Sequence, residues 1–175
     1  MDLTQFLDRA SGALRALAHP GFARTLEQTA ASLVRARHIW STGLGKSACA
    51  ASLLAEDLAT LTLPASFVHG GDLLHGGMGR ILRDDAVVLF SDRGHTAELV
   101  QVSRSLPDTT RILITGSASP LIEASHVLRY APPGGDAYPL PAATLLQVTI
   151  GRMLALSAAE LAKIEPAHVA WAHPA

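Results

Sequence analysis

The residues best suited to chemistry lie in Arg37 to Ser47, RHIWSTGLGKS, where a lysine and a hydroxyl follow two glycines. Ile39 and Trp40 end an apolar segment that reads as a buried strand, and the alanine-rich run from Ala48 to Leu61 predicts a helix. Gly43 and Gly45 permit a sharp turn between the two. A strand, a glycine turn and a helix N-terminus aim unpaired backbone N–H groups at one spot, which suits an anion such as phosphate. A Walker A loop would need glycine where this chain has Trp40, so that pattern fails. The dinucleotide fingerprint is formally met by Gly43, Gly45 and Ala48. Its acidic partner, expected about 20 positions on, is missing, since the second strand ends Phe67-Val68-His69. Anion binding therefore stands without a nucleotide.

Three more polar turns follow predicted strands. HGGDLLHGGMGR is a glycine-rich loop carrying His69, Asp72 and His75. SDRGHTAE places Ser91, Arg93 and Thr96 ahead of Glu98, which falls in a first helical turn where the dipole favours an acid by about 0.3–1 kcal/mol. Arg93 offers a fork of N–H donors to an anion, with the acid Asp92 beside it as a competing partner. Gly116-Ser117 ends the fourth strand.

The elements that must position these residues alternate. Leu3, Phe6, Leu7, Ala10, Leu14 and Leu17 share one helical face, Pro20-Gly21 breaks that helix, and a second runs from Phe22 to about Ala36. Strands are expected at Ala65–Val68, at AVVLF (86–90), at RILIT (111–115) and at HVLRY (126–130), besides the one before Gly43. The uninterrupted apolar run AVVLF is typical of a strand covered on both faces. Helices are expected from about Thr96 to Leu106, briefly near Pro120 to Ser125, and from about Ala142 to Lys163. The last is apolar nearly all round, which implies a central position or burial against another subunit. This alternation predicts a three-layer α/β sandwich around a five-stranded parallel sheet with right-handed crossovers. In such sheets ligands sit beyond the carboxyl ends of the strands, so all four polar turns should converge on one crevice.

The 175 residues suit a single domain, with N-terminal helices over 1–36, a parallel core over 37–163 and a tail over 164–175. A formal net charge of −1 gives no reason to expect nucleic acid or an anionic membrane as a partner. The single cysteine, Cys49, suits a reducing cytoplasm and reads as a small core residue on its helix. MDLTQFLDRA lacks the basic start of a signal peptide, and Gln147 and Arg152 interrupt the longest apolar stretch, so a membrane span is not expected.

With these turns in order, the chain resembles a sugar isomerase (SIS) domain, most closely those of the arabinose-5-phosphate isomerases. The resemblance runs from about Arg37 to Pro174 and rests on GLGKS, FVHGGDLLHGGMG, S-x-x-G-x-x-x-E, TG, D-A-Y-P-L and the late His-Pro. It implies the flavodoxin-like strand order 2-1-3-4-5. It also implies an aldose–ketose isomerase acting on a phosphorylated sugar through a cis-enediol, with no cofactor and no metal, although His69, Asp72 and His75 imitate a ligand set. Catalytic positions match Lys46, Glu98, Asp136 and His173, with His75 near the sugar. Ser47, Ser91 and Thr96 match the phosphate-binding hydroxyls beside Gly43, Gly45 and Arg93. The family's S-x-S-G-E-S/T loop is here Ser91-Asp92-Arg93-Gly94-His95-Thr96, with arginine replacing a serine. A family glutamate is matched by the shorter Asp136, and PAATLL replaces a hydroxyl-rich segment. The regulatory CBS modules that usually follow are not expected here. Relatives of this kind suggest a homo-oligomer, expected as a tetramer, in which His173 reaches a neighbour's crevice. A sugar-phosphate sensor without catalysis is the alternative, and an isomerase for a hexulose or heptulose phosphate is another.

Overall fold

The computed structural model describes residues 3–132 and 142–170, so Asp136 and His173 lie outside the described residues. Two helices, α1 (Leu3–Ala16) and α2 (Pro20–Arg35), precede the sheet. The core then runs β1 (Ile39–Gly43), α3 (Lys46–Thr60), β2 (Ala65–Phe67), α4 (Gly70–Leu74), β3 (Ala86–Phe90), α5 (Ala97–Ser105), β4 (Thr110–Thr115) and β5 (His126–Arg129). It closes with α6 (Ala143–Leu161) and α7 (Pro166–Val169). All five strands are parallel in the order β2-β1-β3-β4-β5, as expected.

The period of two along the strands divides the core. Ile39, Ala86, Val88, Phe90, Ile112 and Ile114 face a layer built from α2, α3 and α6, where Leu33, Leu54, Leu58, Leu146, Ile150 and Leu154 meet them. Val87, Leu89 and Leu113 face the opposite layer, packing with Leu73 of α4 and Leu99 and Val102 of α5. Every residue of β3 is buried, which explains why AVVLF carries no polar alternation. Each large side chain buried this way contributes about 1.5–3 kcal/mol of transfer free energy.

Several boundaries differ from the sequence reading. β1 extends through Thr42 and Gly43, past Trp40, because Gly43 is the register partner of Phe90 in β3. Pro20 opens α2 instead of only ending α1; His19 caps it, its Nδ1 accepting from the Gly21 N–H at 3.1 Å, and a first-turn proline loses no helical bond. The short helix expected at 120–125 does not form. Pro120 has no N–H, while Leu121 N donates to Gly94 O (2.9 Å) and Ser125 N to Arg111 O (2.8 Å), so the backbone bonds outward. The loop expected after β2 instead contains α4 and a 3₁₀ turn at Gly77–Arg80.

One burial expectation also changes. Cys49 is exposed, because α3 turns Ala50, Ala51, Leu54, Ala55 and Leu58 inward and leaves the cysteine on its outer face. Helix α6 is buried on one face within the chain. Leu146, Ile150, Leu154 and Ala158 point inward, whereas Leu145, Leu156 and Leu161 are 44%, 65% and 48% exposed. Among the described residues no helix is long and apolar enough to cross a membrane.

Candidate functional site

The strand order reverses between β1 and β3: α3 leaves β1 on one face of the sheet and α5 leaves β3 on the other. This is the switch point at which a parallel sheet opens a crevice beyond its carboxyl ends. Since Gly43 and Phe90 are register partners, the turns beginning at Leu44 and Ser91 leave the sheet side by side.

The β1–α3 turn depends on both glycines, for different reasons. A Cβ on Gly43 would lie 2.8 Å from the carbonyl carbon and oxygen of Ser47, so glycine allows the first turn of α3 to close against the strand. Gly45 has open space around it but a φ of 56°, a conformation that L side chains disfavour. As the N-cap residue, Gly45 has no side chain to occupy the N–H groups that open α3. Lys46 is exposed, and among the described residues neither Lys46 nor Ser47 has a side-chain hydrogen bond or ion pair. The turn thus presents unoccupied donors and one unpaired cation.

Beside it, the β3–α5 loop is firmly tied. Ser91 is buried; its Oγ accepts from the Gly94 N–H at 3.2 Å and lies 3.4 Å from Thr96 Oγ1. Gly94 adopts φ 67°, and a Cβ there would come within 2.5 Å of the Pro120 Cβ. Asp92 does not pair with Arg93. Its Oδ1 accepts from the Tyr130 hydroxyl at 2.7 Å, and its carbonyl accepts from Thr115 Oγ1 at 3.0 Å and Gly116 N at 2.9 Å. Arg93 is exposed and has no partner among the described residues. Thr96 caps α5 in position without a side-chain bond to its backbone, and Glu98 follows, exposed, in the first turn.

The third turn joins the other two through Gly70. A Cβ on Gly70 would meet Leu99 Cδ2 of α5 at 2.9 Å, Leu44 Cγ at 3.2 Å and the Gly43 carbonyl at 3.4 Å. The start of α4 therefore packs directly on the β1 turn and on α5. His69 caps α4, its Nδ1 accepting from the Gly71 N–H at 3.3 Å. His75 is the exposed residue that ends the helix, and its side chain has no partner among the described residues. Among the described residues no group of three or more His, Cys, Asp or Glu side chains is arranged to hold a metal.

Topology thus gathers Gly43, Gly45, Lys46 and Ser47 beside Ser91, Arg93, Thr96 and Glu98. His75 stands at the far end of the short helix that bridges them. Sequence reasoning missed Gly70 as the meeting point, and it missed the chain from Gln147 through Tyr130 to Asp92. Gln147 Nε2 donates to Tyr130 Oη at 3.2 Å, and both residues are almost wholly buried. Burial first, then the bond to Asp92, drives the Tyr130 phenol pKa well above its ordinary value. A glutamine inside a mostly apolar helix was the available signal, because a buried amide requires a polar partner.

Comparison with known proteins agrees with this architecture. The SIS domain family matches residues 32–157. The arabinose 5-phosphate isomerase KdsD of Pseudomonas aeruginosa is 34% identical over 139 residues, covering 75% of this chain. The chain spans only 43% of that relative's length. Among solved structures, E. coli CFT073 c3406, captured in complex with a sugar phosphate, superposes with a TM-score of 0.84 at 26% identity, covering 98% of this chain and 95% of the other. The sugar isomerase domain of an RpiR transcription factor from Sphaerobacter thermophilus has a TM-score of 0.75 at 21% identity, covering 97% and 93%. Family match, strand order and turn geometry agree, and the chain belongs to the SIS domain family.

Proposed function

We propose that this SIS domain is an aldose–ketose isomerase for a phosphorylated sugar, with D-arabinose 5-phosphate and D-ribulose 5-phosphate as the leading pair. The observation that carries this reading is the uncapped N-terminus of α3, with Lys46 and Ser47, lying beside the Ser91–Thr96 loop at the sheet's switch point. Phosphate is held by the donors of Gly45 to Ser47, by the hydroxyls of Ser91 and Thr96, and by the Arg93 guanidinium. With the phosphate anchored, the open-chain sugar extends toward Glu98 and His75. A base removes the proton from C2 of the aldose while the C1 carbonyl oxygen takes up a proton, leaving a cis-enediol. The O2 hydroxyl then gives up its proton as the base returns the carbon-bound one to C1, which gives the ketose. Glu98 or His173 is assigned that transfer. Lys46 stabilises charge on the sugar oxygens, and Asp136 is a further catalytic position that the resemblance implies. The likeness to KdsD and to the sugar-phosphate complex of c3406 supports this choice of substrate class.

Incubation of the protein with pentose, hexose and heptose phosphates, followed by NMR, tests the reading. Exchange between an aldose and its ketose is expected, first with arabinose 5-phosphate. Absence of exchange for every member would overturn it.

A second reading follows from the resemblance, which implies a serine of the family's phosphate loop where this chain carries Arg93. A loop altered in this way also suits a sensor that binds sugar phosphate without turning it over, and one structural neighbour is a domain of a transcription factor. Tight calorimetric binding without exchange would select that reading. Exchange that disappears in Glu98→Gln would exclude it.

A further inference from the structure

Asp92 and Arg93 carry opposite charges on adjacent residues of the loop that closes β3, and a free Asp92 carboxylate would be the nearest partner for the guanidinium. The fold draws the acid elsewhere. Its Oδ1 accepts from Tyr130 Oη at 2.7 Å, and its carbonyl is held by Gly116 N at 2.9 Å and Thr115 Oγ1 at 3.0 Å. Tyr130 is supported in turn by Gln147 Nε2 at 3.2 Å. Tyr130 and Gln147 are only 2% and 1% exposed, so water does not compete for their bonds. Gly116 makes room for this arrangement, since a Cβ there would fall 2.9 Å from Asp92 Oδ1 and 3.0 Å from Tyr130 Cε2. Arg93, by contrast, is exposed and unpaired among the described residues.

We propose that the Gln147–Tyr130–Asp92 chain is a positioning device: it turns Asp92 toward β4 and β5 and so leaves Arg93 free to bind the ligand's phosphate. The inference rests on the reading that phosphate occupies this crevice. Tyr130 and Gln147 touch no ligand and act through Asp92 and Arg93. Without the phenol, Oδ1 loses its donor, the carboxylate turns to the neighbouring guanidinium, and Arg93 is neutralised before phosphate arrives. The loop thereby recognises a dianion by charge.

Calorimetric titration of the full chain with inorganic phosphate, and separately with arabinose 5-phosphate, tests the device. Tyr130→Phe should weaken binding of both by about tenfold. Adding Asp92→Asn to that variant should restore binding, because an amide cannot neutralise Arg93. In an Arg93→Ser background, Tyr130→Phe should have no further effect. If Tyr130→Phe fails to fold by circular dichroism, Gln147→Met, which removes the support but keeps the volume, should weaken binding in the same Asp92-dependent way. Unchanged affinity in a folded Tyr130→Phe, or a loss that Asp92→Asn does not relieve, would overturn the proposal, as would absence of phosphate binding by the wild type. Phosphate binding with the expected pattern but no sugar exchange would defeat the isomerase reading and leave this device standing. Exchange with a KM untouched by Tyr130→Phe would do the reverse.

Discussion

Asp85 Oδ1 lies 2.7 Å from Arg37 Nη2, so the first residue of the glycine-turn segment is locked to the residue just before β3. The Asp85 side chain is fully buried, and its Oδ2 accepts from Arg37 at 2.9 Å, Trp40 Nε1 at 3.0 Å and Leu82 N at 2.9 Å. The pair sits at the amino end of β1 and β3, opposite the crevice, and holds the two strands whose other ends build it. Asp85→Ala should cost about 2–3 kcal/mol, because it strands two N–H donors; Arg37 is half exposed and recovers water. Asp85→Asn should cost less. Urea midpoints read the difference, and an Asp85→Ala protein as stable as the wild type would refute this account.

The buried Tyr130 phenol predicts alkaline sensitivity. Its folded pKa is raised above the ordinary value of 10.0, by burial first and by Asp92 next. The contribution is therefore fully present below pH 10 and is lost as pH climbs beyond it, since the unfolded chain ionises its tyrosine while the folded chain resists. Urea midpoints between pH 8 and pH 11 should fall more steeply for the wild type than for Tyr130→Phe. Parallel slopes would count against a buried neutral phenol.

The two glycines of the β1–α3 turn should fail differently. Gly43→Ala forces a Cβ to 2.8 Å from Ser47 backbone and should cost about 1–3 kcal/mol, displacing the first turn of α3. Gly45→Ala meets no atom and should cost about 1–2 kcal/mol through its left-handed backbone alone. Phosphate affinity, measured beside thermal stability, should fall more in Gly43→Ala. Equal losses would show that the helix start does not set the anion site.

If Glu98 moves the proton, Glu98→Gln should lower kcat by about 10²–10⁴-fold while KM for the sugar phosphate changes little. Lys46→Ala should lower kcat and weaken binding together. A Glu98→Gln enzyme with wild-type kcat would transfer the role to His173.

Leu145, Leu156 and Leu161 leave apolar surface on α6 that a second copy of the chain would cover. Light scattering at micromolar concentration should report a homo-oligomer, with a tetramer expected. Mixed assemblies of Lys46→Ala and His173→Ala should regain activity if His173 completes a neighbour's crevice. A monomer would defeat both expectations, and inactive verified hybrids would remove only the shared site.

Local pattern alone determined much of this protein. Strand β3 was legible because both its faces are apolar, and α1 because its apolar residues recur at the helical period. Gly43, Gly45 and Lys46 were legible because a strand end, a glycine turn and a helix start are consecutive in the chain. Tertiary structure decided what depends on partners distant in sequence. Tyr130 and Asp92 are 38 residues apart, and no local period encodes a phenol finding a carboxylate across two strands. Cys49 looked like a core residue because its neighbours are alanines, but the rotation of α3 against the sheet chose Ala50 and Ala51 instead. A brief helix was expected from Pro120 to Ser125, yet hydrogen bonds to Gly94 and Arg111 drew its backbone outward. Periodicity reports which face a segment buries; which residue waits on the other side is set only when the layers pack.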